Sequence, residues 1–285
     1  MTEESVTAAE VSSFQLETID TFHPQVSAIL NLTPDHLDRH GSMAEYIRVK
    51  ELVTKNQTEQ DTCVLNHEDE VLRAFGERLP ARVFWFGSRR RIPGGIYLEG
   101  DWIVSELSGE REPVVKTGEL QILGVHNYEN AMAAAAVSFA MGVPMEVIRK
   151  TLREFKAVEH RIEFVTEQGG VAYYNDSKGT NPDAAIQGIR AMDRPTVLIA
   201  GGYDKGSDYR EWLLACKERV RELILLGATA EKIAREAEEL GFTKIRFASS
   251  MEEAVGLAKD AAEPGDAVLL SPACASWGMF KNYEE

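Results

Sequence analysis

The sequence predicts an α/β protein in two parts: a mostly parallel sheet with hairpins, followed by a doubly wound, Rossmann-like sheet. Two observations carry this. From about Val158 onward, short near-continuous apolar runs (PTVLIAGG, ELILLG, AVLLSPA) alternate with amphipathic segments such as TAEKIAREAEELG. That is the pattern of strands buried on both faces and joined by helices. Earlier in the chain, strand-like TCVLN and ARVFWFG give way, between Ile92 and Ile122, to two-residue alternation with tight turns.

In chain order, SVTAAEVSS reads as a buried strand ending at Ser12–Ser13, and Val26 to Thr33 as a second strand. Pro34 and Asp35 open a helical stretch that runs through MAEYIRVKELVTKN. TCVLN and ARVFWFG are strands, and GGIYLEGDWIVSEL is a hairpin turning at Glu99–Gly100–Asp101. NYENAMAAAAVSFAMG is an alanine-rich helix closed by Gly142, and PMEVIRKTLREF a helix with Pro144 at its start. RIEFVTEQGGVAYYND forms a hairpin through Gly169–Gly170. NPDAAIQGIRAM is then the first helix of the alternating region and AVLLSPA its last strand. The expected boundary lies between Phe155 and Arg161, giving domains 1–157 and 158–285.

At 285 residues the chain can bury two ordinary cores, and its composition, 44% hydrophobic and 27% charged, is that of a globular protein. A net charge of −15 disfavours nucleic acid and anionic membranes as partners, so an anionic ligand needs local cations, metal ions or backbone amides. Three scattered cysteines (Cys63, Cys216, Cys274) form neither a disulfide framework nor a zinc spacing, which suits a reducing cytosol. The acidic, polar beginning is not a signal peptide, and no apolar run is long enough to cross a bilayer. A cytoplasmic location is expected.

In parallel α/β sheets ligands bind beyond the carboxyl ends of strands. Five polar or glycine-rich breaks follow apolar runs here: Glu10 to Ser13, Asn31 to His36, Asp176 to Asn181, Gly201 to Lys205 and Ser271 to Ser276. They suggest a shared ligand cleft. In LNLTPDHLDRHGSMAEYIRVK, His36 is either a helix cap or a metal ligand, and Lys50 either solvated or part of the same site. A lysine ammonium cannot bind a cation, but a neutral amine combines with carbon dioxide to give a carbamate, whose hard oxygens suit magnesium. A histidine ligand alone would point to zinc or manganese. In YYNDSKGTN, backbone amides at a helix start favour an anion, the alternative being a turn capped by Asp176 and Thr180. Lys205, in glycine-rich GGYDKGSDY, suits a carboxylate, and Arg161 in EHRIE a phosphate. No GxxxxGK[ST] loop occurs anywhere in the sequence.

In order along the chain, EVSSFQLE, LNLTPDHLDRH, YIRVK, HNYENAMAA, EHRIE, NDSKGTNPDAA, GGYDKG and SPACASWGMFKNYEE resemble the Mur ligase family over nearly the whole length. SSFQLE and SPACAS with its following FKN look most particular to the D-glutamate-adding branch. The resemblance implies ATP-dependent addition of D-glutamate to UDP-N-acetylmuramoyl-L-alanine through an acyl phosphate, in peptidoglycan synthesis. It implies magnesium, with manganese as an alternative, and a monomer. Glu10 and His36 match the metal-binding acid and histidine, and Lys50 the carbamylated lysine. Asn127 and Asn130 match asparagines near adenine, Arg161 and Asp176 phosphate and ribose contacts. Thr180, Lys205, Ser276 and the backbone near Tyr283 match the D-glutamate pocket, Tyr283 standing where some relatives have phenylalanine.

The family has three domains. The chain is therefore expected to begin inside the central one, after the P-loop, to end before the closing helix of the third, and to have little ligase activity alone. Two other readings fit the same residues: a different amide-forming ligase, either of this family or of the folylpolyglutamate synthase type, and a non-catalytic nucleotide- or amino-acid-binding module.

Overall fold

The computed structural model describes residues 5–33, 36–156, 159–203 and 206–276, the Asp38 side chain excepted. The chain divides into two compact units, 1–120 with 128–154 and 121–127 with 155–285. Pro34 and Asp35, expected to open a helix, lie outside the described residues.

In the first unit, strands β1 (Val26–Ile29), β2 (Thr62–Asn66), β3 (Arg82–Gly87), β4 (Ile96–Glu99), β5 (Trp102–Ser105) and β6 (Glu112–Lys116) form one sheet in sequence order. β1 to β4 are parallel; β4–β5 and β5–β6 are antiparallel. The predicted hairpin forms, with Gly100 at φ 60° in its two-residue turn. The unit's helices are α1 (Ser13–Leu16), α2 (Leu37–His40), α3 (Met43–Glu51), α4 (Glu70–Gly76), α5 (Val125–Ala140), whose first residues belong to the second unit, and α6 (Met145–Glu154).

The first predicted strand is not one. Residues 5–10 are exposed, Val6 by 74%, and pair with nothing as a strand. The Ser12 hydroxyl accepts from the Gln15 N–H while Gln15 Oε1 accepts from the Ser12 N–H. This capping box starts a helical turn where the alternation suggested extension. The long helix predicted after Thr33 is broken at Gly41 (φ 74°), so that α2 and α3 are separate and Ser42 caps the second. Helix α4 was not foreseen. Asp69 caps it by accepting from the Val71 and Leu72 N–H groups, and its other oxygen accepts from the Leu32 N–H at 3.0 Å, tying down the segment after β1.

In the second unit, β7 (Glu163–Gln168), β8 (Val171–Asn175), β9 (Thr196–Gly201), β10 (Val220–Leu226), β11 (Ile245–Phe247) and β12 (Ala267–Leu270) make a sheet of order β11-β10-β9-β12-β8-β7, parallel except for β7. Helices α7 (Pro182–Ala191), α8 (Arg210–Arg219) and α9 (Ala230–Glu239) cover one face and α10 (Met251–Ala261) the other. Alternate residues of β9 serve the two cores: Leu198 and Ala200 face Trp212 and Ile233, whereas Val197 and Ile199 face Ala254 and Ala258. Residues 121–127 group with this unit because Gln121 bridges to Lys156 and Leu123 packs on the Trp212 core. No described helix is long and apolar enough to cross a membrane.

Candidate active site

Several of the residues singled out in the sequence gather in two places, one in each unit; Asn127 and Asn130 lie apart from both, on α5. In the first unit a cavity of about 320 Å³ is lined by Glu10, Ser12, Ser13, Phe14, His36, Tyr46 and Lys50 among others. It brings together the three residues expected at a metal. His36 occupies the N-cap position of α2 at φ 51°, ψ 34°, but its side chain makes no capping bond there. A left-handed residue other than glycine costs on the order of 1 kcal/mol, and such strain concentrates at functional positions. The His36 ring lies 4.9 Å from that of Phe14. Lys50, half-buried in the last turn of α3, places its Nζ 5.8 Å from the centre of the Tyr46 ring.

His40 escaped the sequence reading, although HLDRH places it four residues after His36. It is buried, with Nε2 3.0 Å from Ser13 Oγ, Nδ1 3.4 Å from Glu17 Oε1, and its ring stacked on Phe14. Arg39 also donates to Glu17 and holds that carboxyl below the usual range. His40 thus braces the wall that carries Ser13 and Phe14.

Among the described residues no three His, Cys, Asp or Glu side chains stand together as a metal site. Glu10 and His36 offer the cavity two donors, and a lysine ammonium offers none. The set therefore fits a hard cation when Lys50 carries carbon dioxide as a carbamate.

In the second unit the loops leaving β8, β12 and β9 are tied together at the carboxyl end of the sheet. Asp176 follows β8 and is only 4% exposed. Its Oδ1 accepts from the Ile162 N–H (3.3 Å) and its Oδ2 from the Ser271 hydroxyl (2.7 Å). A Cβ on Gly188 would lie 2.6 Å from Oδ2 and one on Gly179 2.7 Å, so both glycines make room for this carboxylate. Asp176 is turned inward and anchors the 160–162 loop, rather than presenting its oxygens to the surface. In that loop His160 (φ 68°) and Ile162 (φ 49°) are both left-handed and flank the exposed Arg161. The Lys178 N–H donates to the His160 carbonyl at 3.0 Å, and Asn175 Nδ2 lies 3.0 Å from His160 Nδ1. The pairing of Asp176 with Ser271, 95 positions away, left no local signal in the sequence.

The turn after Asp176 is capped by Asn181, whose Oδ1 accepts from the Ala184 N–H, and not by Asp176 or Thr180 as the alternative had it. Thr180 is half-buried and Ser276 exposed. The Ala273 N–H donates to the Gly179 carbonyl (2.8 Å), linking the Ser276 loop to the Thr180 turn. Asn127 and Asn130 lie three apart on α5 and so share a helix face; Asn127 is half-buried and its Nδ2 donates to the Leu123 carbonyl, while Asn130 is exposed. Burial, then repulsion by Arg161, lowers the His126 pKa. Lys205 and Tyr283 lie outside the described residues. Cys63, Cys216 and Cys274 are free and buried, and burial pushes the Cys63 thiol up to about 11.

Burial raises the Asp176 carboxyl to about 6 against the pull of Ser271, Ile162 and Arg161. An acid whose folded pKa is raised binds its proton more tightly when folded. Its contribution to stability is therefore intact below about 3.8 and lost as pH rises towards 6. Two units correspond to roughly 3 kcal/mol. Asp176→Asn is expected to gain stability relative to the wild type by about that amount between pH 4 and pH 7. Urea midpoints of both proteins across that range test this; a constant difference contradicts it.

The Mur ligase middle domain matches residues 1–138 and the Mur ligase glutamate ligase domain residues 160–274. The chain belongs to the Mur ligase family. It is 56% identical over 283 residues to the UDP-N-acetylmuramoylalanine--D-glutamate ligase of Lachnoclostridium phytofermentans, covering 99% of this chain and 62% of that protein. It is 51% identical to the protein of the same name from Lachnospira eligens, at 99% and 63% coverage. The chain thus spans a little over three-fifths of the length of these relatives. Among solved structures, MurC from Thermotoga maritima shares the fold at TM-score 0.67 and 21% identity, covering 92% of this chain and 58% of that one. MurF from Acinetobacter baumannii does so at 0.66 and 20%, with 87% and 56% covered.

Proposed function

We propose that this chain supplies the metal-, nucleotide- and amino-acid-binding groups of an ATP-dependent ligase that joins D-glutamate to UDP-N-acetylmuramoyl-L-alanine, with residues 1–157 part of its central domain and 158–285 its C-terminal one. The observation that carries this is the single cavity on which Glu10, His36 and Lys50 converge. Its support beyond the chain is the 56% identity to a relative of that name.

A carboxylate cannot be attacked productively by an amine until its oxygen can leave. In the reaction proposed, a carboxylate oxygen of the alanyl group attacks the γ-phosphorus of ATP, giving an acyl phosphate and ADP. The neutral amine of D-glutamate then adds to the acyl carbon, and the tetrahedral adduct expels phosphate as the amide forms and the nitrogen loses a proton. Magnesium, or manganese in its place, would supply charge neutralisation between the reacting anions. Glu10, His36 and the carbamate of Lys50 would hold it. In a chain of net charge −15, Arg161 and Lys205 are the local cations that compensate phosphate and the glutamate carboxylates. Asn127 and Asn130 face the adenine, and Asp176 holds the loop of Arg161 at the nucleotide. Thr180, Ser276 and the Tyr283 backbone orient D-glutamate so that its amine meets the acyl carbon, and orientation alone is a large part of such a rate.

The test is phosphate release by the purified chain given ATP, magnesium, UDP-N-acetylmuramoyl-L-alanine and D-glutamate. It is run with and without the remaining part of the Lachnoclostridium phytofermentans relative, expressed separately. Release that requires D-glutamate, in either arm, supports the reading. Release that instead follows another amino acid moves the chain to a different amide ligase. Silence in both arms favours the binding module.

A further inference from the structure

Thr229 occupies the N-cap position of α9, yet its hydroxyl makes no bond to that helix. A capping threonine normally stabilises its own helix by about 1 kcal/mol. Here the hydroxyl is directed to another loop. The Gly202 N–H donates to Oγ1 at 3.0 Å, and Oγ1 lies 3.3 Å from the Gly202 carbonyl oxygen and 3.4 Å from Cys274 Sγ. The Thr229 N–H donates to the same carbonyl at 3.1 Å. Gly202 is therefore held at both of its backbone polar groups by one residue that is itself fully buried.

On its other side Gly202 (φ 152°) presses on the loop leaving β12: a Cβ there would lie 2.5 Å from the Ala275 carbonyl oxygen. The Tyr203 N–H donates to that oxygen at 2.7 Å. The Tyr209 hydroxyl, 3.1 Å from Cys274 Sγ, closes the cluster. The parallel strands β9 and β12 are neighbours, so these loops leave the sheet side by side, where ligands of such sheets bind.

We propose that Thr229 is a positioning residue: it latches the loop after β9 to Ala275 and thereby sets Ser276 against the Thr180 turn, to which the same segment is tied through Ala273. On the reading that Thr180 and Ser276 hold D-glutamate, the latch fixes the seat of an amino acid with a carboxylate side chain. Thr229 itself touches no substrate.

The test uses the full chain with Thr229→Val, which keeps the shape and removes the hydroxyl, and Thr229→Ser, which keeps the hydroxyl. Thr229→Ala replaces the valine variant if that fails to fold. In Thr229→Val, amide exchange at Gly202 and Tyr203 is expected to quicken about tenfold or more, the loss of one buried hydrogen bond, while Leu223 to Leu225 of β10 exchange as before. In the phosphate-release assay the KM for D-glutamate is expected to rise about tenfold with kcat within about threefold. Thr229→Ser should restore both. Unchanged exchange at Gly202 and Tyr203 overturns the latch, and faster exchange with an unchanged KM overturns its role at the substrate. If the wild type shows no turnover dependent on D-glutamate even with the complementing part of the relative, the substrate assignment fails, and exchange alone decides the latch.

Discussion

Lys50→Ala is expected to cut phosphate release dependent on D-glutamate by at least about 10²-fold, the scale of removing a preorganised electrostatic group from an active site. The fold should survive. Lys50 is half-buried, the buried residues of α3 are Tyr46 and Val49, and alanine is the better helix former. On the proposed reading, what disappears is the carbamate that would stand as third donor beside Glu10 and His36, which line the same cavity. Lys50→Arg separates this from a simple need for positive charge, because a guanidinium keeps the charge but remains protonated and cannot take up carbon dioxide. Lys50→Arg is expected to be as inactive as Lys50→Ala. Wild-type protein equilibrated with ¹³C-bicarbonate should show a carbamate carbon signal that both variants lack. An active Lys50→Arg enzyme would return Lys50 to the role of a solvated cation.

The largest effect on stability is expected at Gly201→Ala. Gly201 ends β9 at φ 111°, opposite Leu226 in the register with β10. A Cβ there would lie 2.1 Å from the Leu226 carbonyl oxygen, which is backbone and cannot rotate away. Overpacking of this kind costs roughly 1–3 kcal/mol and the backbone strain a similar amount. Together they should lower stability by about 3 kcal/mol or more and the midpoint of thermal unfolding by about 10 °C. Calorimetry of the two proteins measures it, and a shift below about 2 °C would mean that β9 and β10 part more easily than their register implies.

The second sheet was readable in the sequence because every residue of β9 is buried between helices on its two faces, leaving an uninterrupted apolar run. The hairpins were readable from alternation and glycine. The start of the chain was not: SVTAAEVSS passes for a buried strand, but Val6 is exposed and a single pair of side chains, Ser12 and Gln15, decides for a helical turn. Helix α4 is too short at seven residues for periodicity to declare itself, and only its cap, Asp69, marked it. At the candidate site the residue types were legible, although Glu10 follows no strand among the described residues and Lys50 lies on α3, and Glu10, His36 and Lys50 do meet at one cavity. The contacts that brace this cavity, and those that brace the loops of the second unit, were not. His40, Ser271 and Thr229 act through contacts with chain 27 to 95 positions away, which no local pattern encodes.

In the proposed reaction the alanyl carboxylate is activated by transfer of the γ-phosphoryl group onto its own oxygen. UDP-N-acetylmuramoyl-L-alanine labelled with ¹⁸O in that carboxylate tests it most directly, in the phosphate-release assay with D-glutamate, ATP and magnesium. Each phosphate released is expected to carry one ¹⁸O atom from the substrate, with the other label retained in the new amide. Turnover that releases only unlabelled phosphate would contradict it, since the carboxylate oxygen would then never have been bonded to phosphorus.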